Sequence, residues 1–188
     1  MTMTSDRTAL RRDLFLRGAE SYVDALAALA AFEQRVEDMC RKAYSRHKDT
    51  LLATMGLDDG GDWERYTNSD PAERWAEVGT YRGTAKKGAN GPCFYIYLRF
   101  SEGEDDTAEM SALVWLDFPS KGSREEVYNQ IRRKNQRCPI EPNDEDDWYA
   151  LVLEIPFKLT DLASAADDLL DKLLCDWIGY CESIGGLK

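Results

Sequence analysis

Imidazole is nearly absent from this chain: one histidine, His47, stands among 188 residues. It lies between Arg46 and Lys48, with Ala43 and Leu51 one helical turn to either side. No acid stands at either place, so a Ser-His-Asp relay has no local support. His47 reads as a solvated residue near a helix end. Thiol chemistry is equally thin. Cys40, Cys93, Cys138, Cys175 and Cys181 are scattered and make no C-x-x-C pair, which supports neither a zinc site nor a disulfide framework. No G-x-S-x-G or H-E-x-x-H motif is present. Lys86 and Lys87 precede Gly88, the reverse of a phosphate loop, and 57–71 lacks calcium-loop spacing. No catalytic residue, metal ligand or cofactor motif is therefore assigned, and the reading points away from an enzyme.

Long apolar runs are missing too. Nothing approaches the roughly 18 residues of a membrane span, and the polar first residues lack the apolar core of a secretion signal. A cytoplasmic, bacterial-type protein is the expectation, consistent with unpaired cysteines. Cations are in deficit: 24 Lys and Arg against 35 Asp and Glu leave a net charge of −11. Direct binding to nucleic acid, which needs a cationic surface to displace counterions, is disfavoured. A basic protein partner, or solubility alone, fits that charge.

What is present is a strong pattern of elements. Residues 93–118 read as two strands. Phe94, Ile96, Leu98 and Phe100 alternate with Tyr95, Tyr97 and Arg99, and Met110, Ala112, Val114, Leu116 and Phe118 alternate with Ser111, Leu113, Trp115 and Asp117. Residues 6–55 carry helical spacing (Tyr22, Leu26, Leu29, Phe32, Val36, Cys40, Ala43), with Gly18 a candidate kink and Gly56 a stop. A first strand is expected at 75–84 after a polar loop at 57–71. Ser123 to Glu126 reads as a capping box opening a helix to about 135, closed by Arg132, Arg133 and Lys134. A strand at 148–155, apolar on both parities, and a last helix capped by Asp161 and ended by Gly185 and Gly186 complete the order.

This predicts an α+β fold in a single domain, residues 1–188. A helical segment, 6–55, precedes an α+β core, 72–188. A mainly antiparallel sheet of about four strands, in the order α-β-β-β-α-β-α, is packed by long N- and C-terminal helices. The last two strands, joined through a helix, are expected to run parallel. On that topology three acidic loops, within 58–70, 102–109 and 141–147, gather at one end. They bring together Glu104, Asp105, Asp106, Glu145, Asp146 and Asp147. Tyr95, Tyr97, Arg99, Trp115 and Asp117, joined by Tyr81 and Glu77, form a second candidate surface with the composition of an interface hot spot.

The element order resembles the core of the PD-(D/E)XK nucleases, which implies an acid on the second core strand and an acid-x-lysine triplet on the third. Here the second strand offers Arg99, and Lys121 falls four residues after Asp117 rather than two. The order is also similar to that of the secretion-chaperone fold, whose acidic members bind partner segments. The expected function is a non-catalytic, cytoplasmic protein-binding module acting through the acidic end, the aromatic face or both. Chaperone, immunity protein, antitoxin and phage-type inhibitor are its plausible occupations. The partner is a protein with a basic surface, and a homodimer is compatible with the N-terminal stripe. The alternatives are a metal-dependent nuclease or degenerate relative, and an acidic mimic of nucleic acid.

Overall fold

A computed structural model describes residues 3–56, 63–70, 75–82, 93–102, 108–145 and 148–187. Side chains are described for these except at 3–15, 70, 75, 102, 108–109, 144–145, 148 and 159–167. The chain divides into two compact units, Met1–Arg35 and Val36–Lys188.

The first unit is the leading part of helix α1, Met3–Met55. Gly18 lies within the helix and does not end it. Leu16, Tyr22, Val23, Leu26 and Leu29 are all exposed here. In the second unit the same stripe changes character, because Val36, Cys40, Ala43, Leu51 and Met55 are buried. Gly56 follows at φ 64°, the left-handed geometry that ends a helix without a side-chain penalty.

The second unit holds a six-stranded sheet in the order β1-β2-β3-β4-β6-β5. The strands are β1 Trp63–Asp70, β2 Trp75–Arg82, β3 Phe94–Glu102, β4 Ala108–Phe118, β5 Glu141–Glu145 and β6 Trp148–Phe157. Helix α2, Lys121–Lys134, joins β4 to β5, and α3, Leu159–Glu182, follows β6. The α+β class stands as expected, but the sheet has two more strands. Strand β1 occupies the segment read as a loop. Its aromatics, Trp63 and Tyr66, fall on opposite parities, so one serves each face and no alternation is visible. Strand β5, Glu-Pro-Asn-Asp-Glu, has almost no strand propensity and is held by its pairing with β6.

Every neighbouring pair is antiparallel. The expected parallel pairing of β4 with β6 is therefore corrected. The crossover through α2 leads instead to β5, which runs in the direction of β4 with β6 between them. This inserted edge strand also separates the strand ends that flank two of the expected acidic loops. Glu102 pairs with Ala108 at one end of the sheet, whereas Phe118 pairs with Tyr149 and Glu145 with Trp148 at the other. The strand ends at Glu102 and Ala108 thus lie opposite those at Glu145 and Trp148, while 103–107 and 146–147 themselves lie outside the described residues.

Local starts also shift. Ser120, not Ser123, caps α2: its side chain accepts from the Ser123 amide at 3.2 Å in extended backbone. The turn after Pro119 places Ser120 ahead of the first helical residue. The basic last turn of Arg132, Arg133 and Lys134 is as expected. Helix α3 begins two residues before Asp161 and runs to Glu182, and Gly185 and Gly186 follow its end at φ 88° and 89°. There the Leu187 amide donates to the Thr54 carbonyl at 2.7 Å.

The helices and the apolar parity of the sheet share one side. Phe94, Ile96, Leu98, Val114, Leu116, Leu151 and Leu153 are buried with Leu170, Leu173, Leu174 and Trp177 of α3. Phe94 meets Trp177 at 6.3 Å between ring centroids. Tyr44 of α1 packs edge-on against Trp63 at 4.3 Å and accepts a hydrogen bond from the buried Arg82 at 2.7 Å. Burial of this face supplies the main driving force, near 25 cal/mol per Å² of apolar surface.

Candidate functional site

The other side of the sheet carries the alternate parity of every strand. Among the described residues of the second unit, helix packing is all on the first side. The pairing registers give one row that crosses all six strands: Glu64, Tyr81, Tyr95, Trp115, Val152 and Glu141. With strands about 4.8 Å apart, this row is roughly 24 Å long. A carboxylate stands at each end and three aromatic rings lie between.

The rings are fixed by their neighbours. Tyr81 stacks on Tyr95 at 5.3 Å with planes 21° apart. Its hydroxyl donates to Glu64 Oε2 at 2.6 Å, and that bond pushes the phenol up to about 12. Tyr66 packs against Tyr95 at 5.3 Å and Tyr97 at 5.2 Å. Gly79 lies directly between Tyr66 and Tyr97 in the register. A Cβ there would collide with the Ile96 carbonyl and the Tyr97 backbone, so this close approach requires glycine.

One row further, Glu77 is 6% exposed yet fully engaged. Tyr66 donates to its Oε2 at 2.6 Å, and Arg99 Nε donates to its Oε1 at 2.9 Å. Arg99 also lies 3.9 Å from Glu154. A buried carboxylate needs such partners to offset its desolvation.

On the opposite flank of the tyrosines sits Asp117, 7% exposed. The Trp115 indole donates to its Oδ1. Burial pushes this carboxyl up to about 6, with Trp115 and Tyr95 holding it lower than burial alone would. The Asp117 amide donates to the Cys93 carbonyl at 2.9 Å, making Cys93 its neighbour across the ladder. Burial, then the nearby Asp117, raises the Cys93 thiol above its ordinary value. Burial raises Tyr95 and Tyr97 as well.

This is a poor place for chemistry. A carboxyl near 6 is what a general acid has, but its neighbours are an indole, a phenol and a thiol, all held protonated. None of these is a base or an activated nucleophile. Among the described residues no group of His, Cys, Asp and Glu side chains could hold a metal ion. The histidine reading is corrected in one respect. Helix α3 supplies the acid missing from α1, because His47 Nε2 lies 3.0 Å from Asp171 Oδ1. Arg46 donates to the same oxygen at 2.9 Å, so Asp171 joins two side chains of α1. The cleft between α2 and the C-terminal segment is lined by Met55, Leu116, Phe118 and Val127, with Glu126 its titratable group.

The sequence-derived candidates thus divide. Tyr95, Tyr97, Arg99, Trp115 and Asp117 share one face, although Tyr97 is buried. Glu104, Asp105, Asp106, Asp146 and Asp147 lie outside the described residues. Glu145 is described by its backbone alone, at the end of β5. Sequence reasoning placed Tyr66, Glu64, Glu141 and Asn143 in loops and did not single out Cys93 or Glu154 as members of this face. Reading 63–70 as a strand would have placed the first two opposite Gly79 and Tyr81. No family model matches the chain, no curated protein matches it and no solved structure matches it.

No helix among the described residues is long and apolar enough to cross a membrane.

Proposed function

We propose that this protein is a non-catalytic binding module whose open sheet face docks on a basic protein surface. The observation that carries this reading is the row from Glu64 to Glu141. Three aromatic rings are held in place at half exposure, and acids flank them. Aromatic anchors of this kind provide contact area at low entropic cost. Among the described side chains of the face, Glu64, Glu77, Asp117, Glu141 and Glu154 stand against Arg99 alone. That imbalance favours a cationic partner and speeds encounter with it. Chaperone, immunity protein, antitoxin and phage-type inhibitor are the occupations this chemistry suits.

A second reading has its own support. Glu64, Glu141 and Glu154 are exposed and spaced across the face rather than gathered at one end. Such spacing suits an acidic mimic that occupies a nucleic-acid-binding groove. Competition by DNA or RNA for the captured partner separates the two readings.

The test uses the full chain. Proteins captured by wild type are compared with those captured by the Glu64→Lys/Glu141→Lys variant and by a Glu33→Lys control on α1. The expected result is a specific set, lost in the double variant, retained by the control, and weakened at high salt. Equal capture by the wild type and the double variant at low salt would overturn the reading.

A further inference from the structure

Five large apolar side chains of the first unit stand in solvent. Leu16, Tyr22, Val23, Leu26 and Leu29 are each between 48% and 66% exposed. At 3.6 residues per turn they fall within an arc of about 140° on α1, together with Ala19 and Ala30. Arg17, Glu20, Ser21 and Asp24 occupy the opposite side of the helix. The spacing 19, 22, 26, 29, three and four residues in turn, is that of a seam along which helices pair. Helices in proteins draw most of their stability from packing of such a face. The described part of this unit is one helix, so the unit holds no second element to cover the stripe.

The size of the stripe bears on what covers it. From Leu16 to Ala30 it runs about 21 Å along the helix. At their observed exposure the five side chains leave on the order of 500 Å² open, so two copies of the stripe would enclose about 1,000 Å², the area at which a contact between proteins becomes specific. A contiguous apolar patch of this kind marks an interaction site.

The charge and shape of the helix choose among occupants. Helices that lie on a lipid surface carry lysine and arginine along the polar face. Here, between Leu16 and Arg35, Glu20, Asp24 and Glu33 outnumber Arg17 and Arg35. A copy of the same helix is the better match. Ala19 and Ala30 leave gaps beside Tyr22, Leu26 and Leu29, and the large side chains of one helix fill the gaps of another. A two-fold contact uses the one stripe twice and needs no other surface.

We infer that the stripe from Leu16 to Leu29 is a self-association surface, pairing α1 of one copy with α1 of a second. This goes beyond the docking reading and uses none of the residues of the sheet face.

The test follows the full chain by sedimentation equilibrium over about 1–300 μM. The expected result is a reversible dimer of twice the 21.4 kDa chain mass, with a dissociation constant on the order of 10 μM. Leu26→Ala/Leu29→Ala keeps good helix formers in place and should weaken association at least about thirtyfold. Far-ultraviolet circular dichroism checks that this variant keeps its helix. Glu20→Gln, on the opposite side, should leave association unchanged. A chain that stays monomeric throughout the range, or a double-alanine variant that associates as well as wild type, would overturn the surface. So would flotation of a monomeric wild type with phosphatidylcholine vesicles that is lost in the double-alanine variant, because the stripe would then belong to lipid.

Discussion

The two sides of the sheet come from the same strands, residue by alternate residue, and they are stabilised in different ways. On the helix side, Phe94, Ile96, Leu98, Val114 and Leu116 are buried, with Phe94 packed against Trp177 of α3. On the open side, Tyr66, Tyr81, Tyr95, Arg99 and Trp115 are held by hydrogen bonds and ring contacts with one another. Half-exposed aromatics contribute little burial energy, so their order comes from specific polar partners. The lesson is that one face is ordered by helix packing, and the other, where Tyr97, Leu113 and Ala150 are also buried, is ordered in addition by polar and ring contacts of its own.

The largest expected difference tests that division directly. Phe94→Ala should cost about 3–5 kcal/mol in urea unfolding, as loss of a buried aromatic does. Tyr81→Ala, on the next strand but the open side, should cost under about 1 kcal/mol. Similar losses at both positions would show that the open face is part of the core.

Gly79 is the exception that sharpens the comparison. It lies on the open side, yet a Cβ added there would collide with the Ile96 carbonyl and the Tyr97 backbone. Gly79→Ala should destabilise by about 3 kcal/mol, because the clash is with main chain that cannot rotate away. It should also separate Tyr66 from Tyr97, visible in near-ultraviolet circular dichroism.

The smallest effect is electrostatic. Asp117 has its folded pKa raised from 3.8 to about 6. Its contribution to stability is fully present below about pH 4 and is lost as pH rises through about 6. The difference in unfolding free energy, wild type minus Asp117→Asn, should fall by roughly 2 kcal/mol between pH 4 and pH 7. A flat difference would mean that the carboxyl is better solvated than its burial indicates.

Alternation made the central hairpin legible: the registers pair Phe94 with Leu116 and Tyr95 with Trp115, and the two parities separate as read. Five of the candidate residues were found this way. The edges were not legible. Strand β1 divides its aromatics between the faces, and β5 is built from residues that disfavour strands. Both owe their conformation to the neighbour they pair with, which no local pattern contains. Missing β5 put the return of the α2 crossover on β6, since one added strand reverses the direction in which the chain continues. Strand β6 was misread more mildly. Leu151 and Leu153 are buried on one side and Ala150 on the other, but Val152 is half-buried and Glu154 exposed.

Those same edge strands limit how a partner can be engaged. A peptide that joins a sheet as a further strand needs a free run of main-chain donors and acceptors. At one edge it meets five residues of β5, where Pro142 has no N–H to give and the acids repel an acidic segment. At the other it meets β1, whose outward groups include Glu64, Arg65 and Asn68. Short, charged and proline-bearing edges are how sheets avoid growing. Main-chain templating is therefore hindered at the β5 edge by its length, its proline and its charge, while the longer β1 edge is guarded by charged and polar side chains alone.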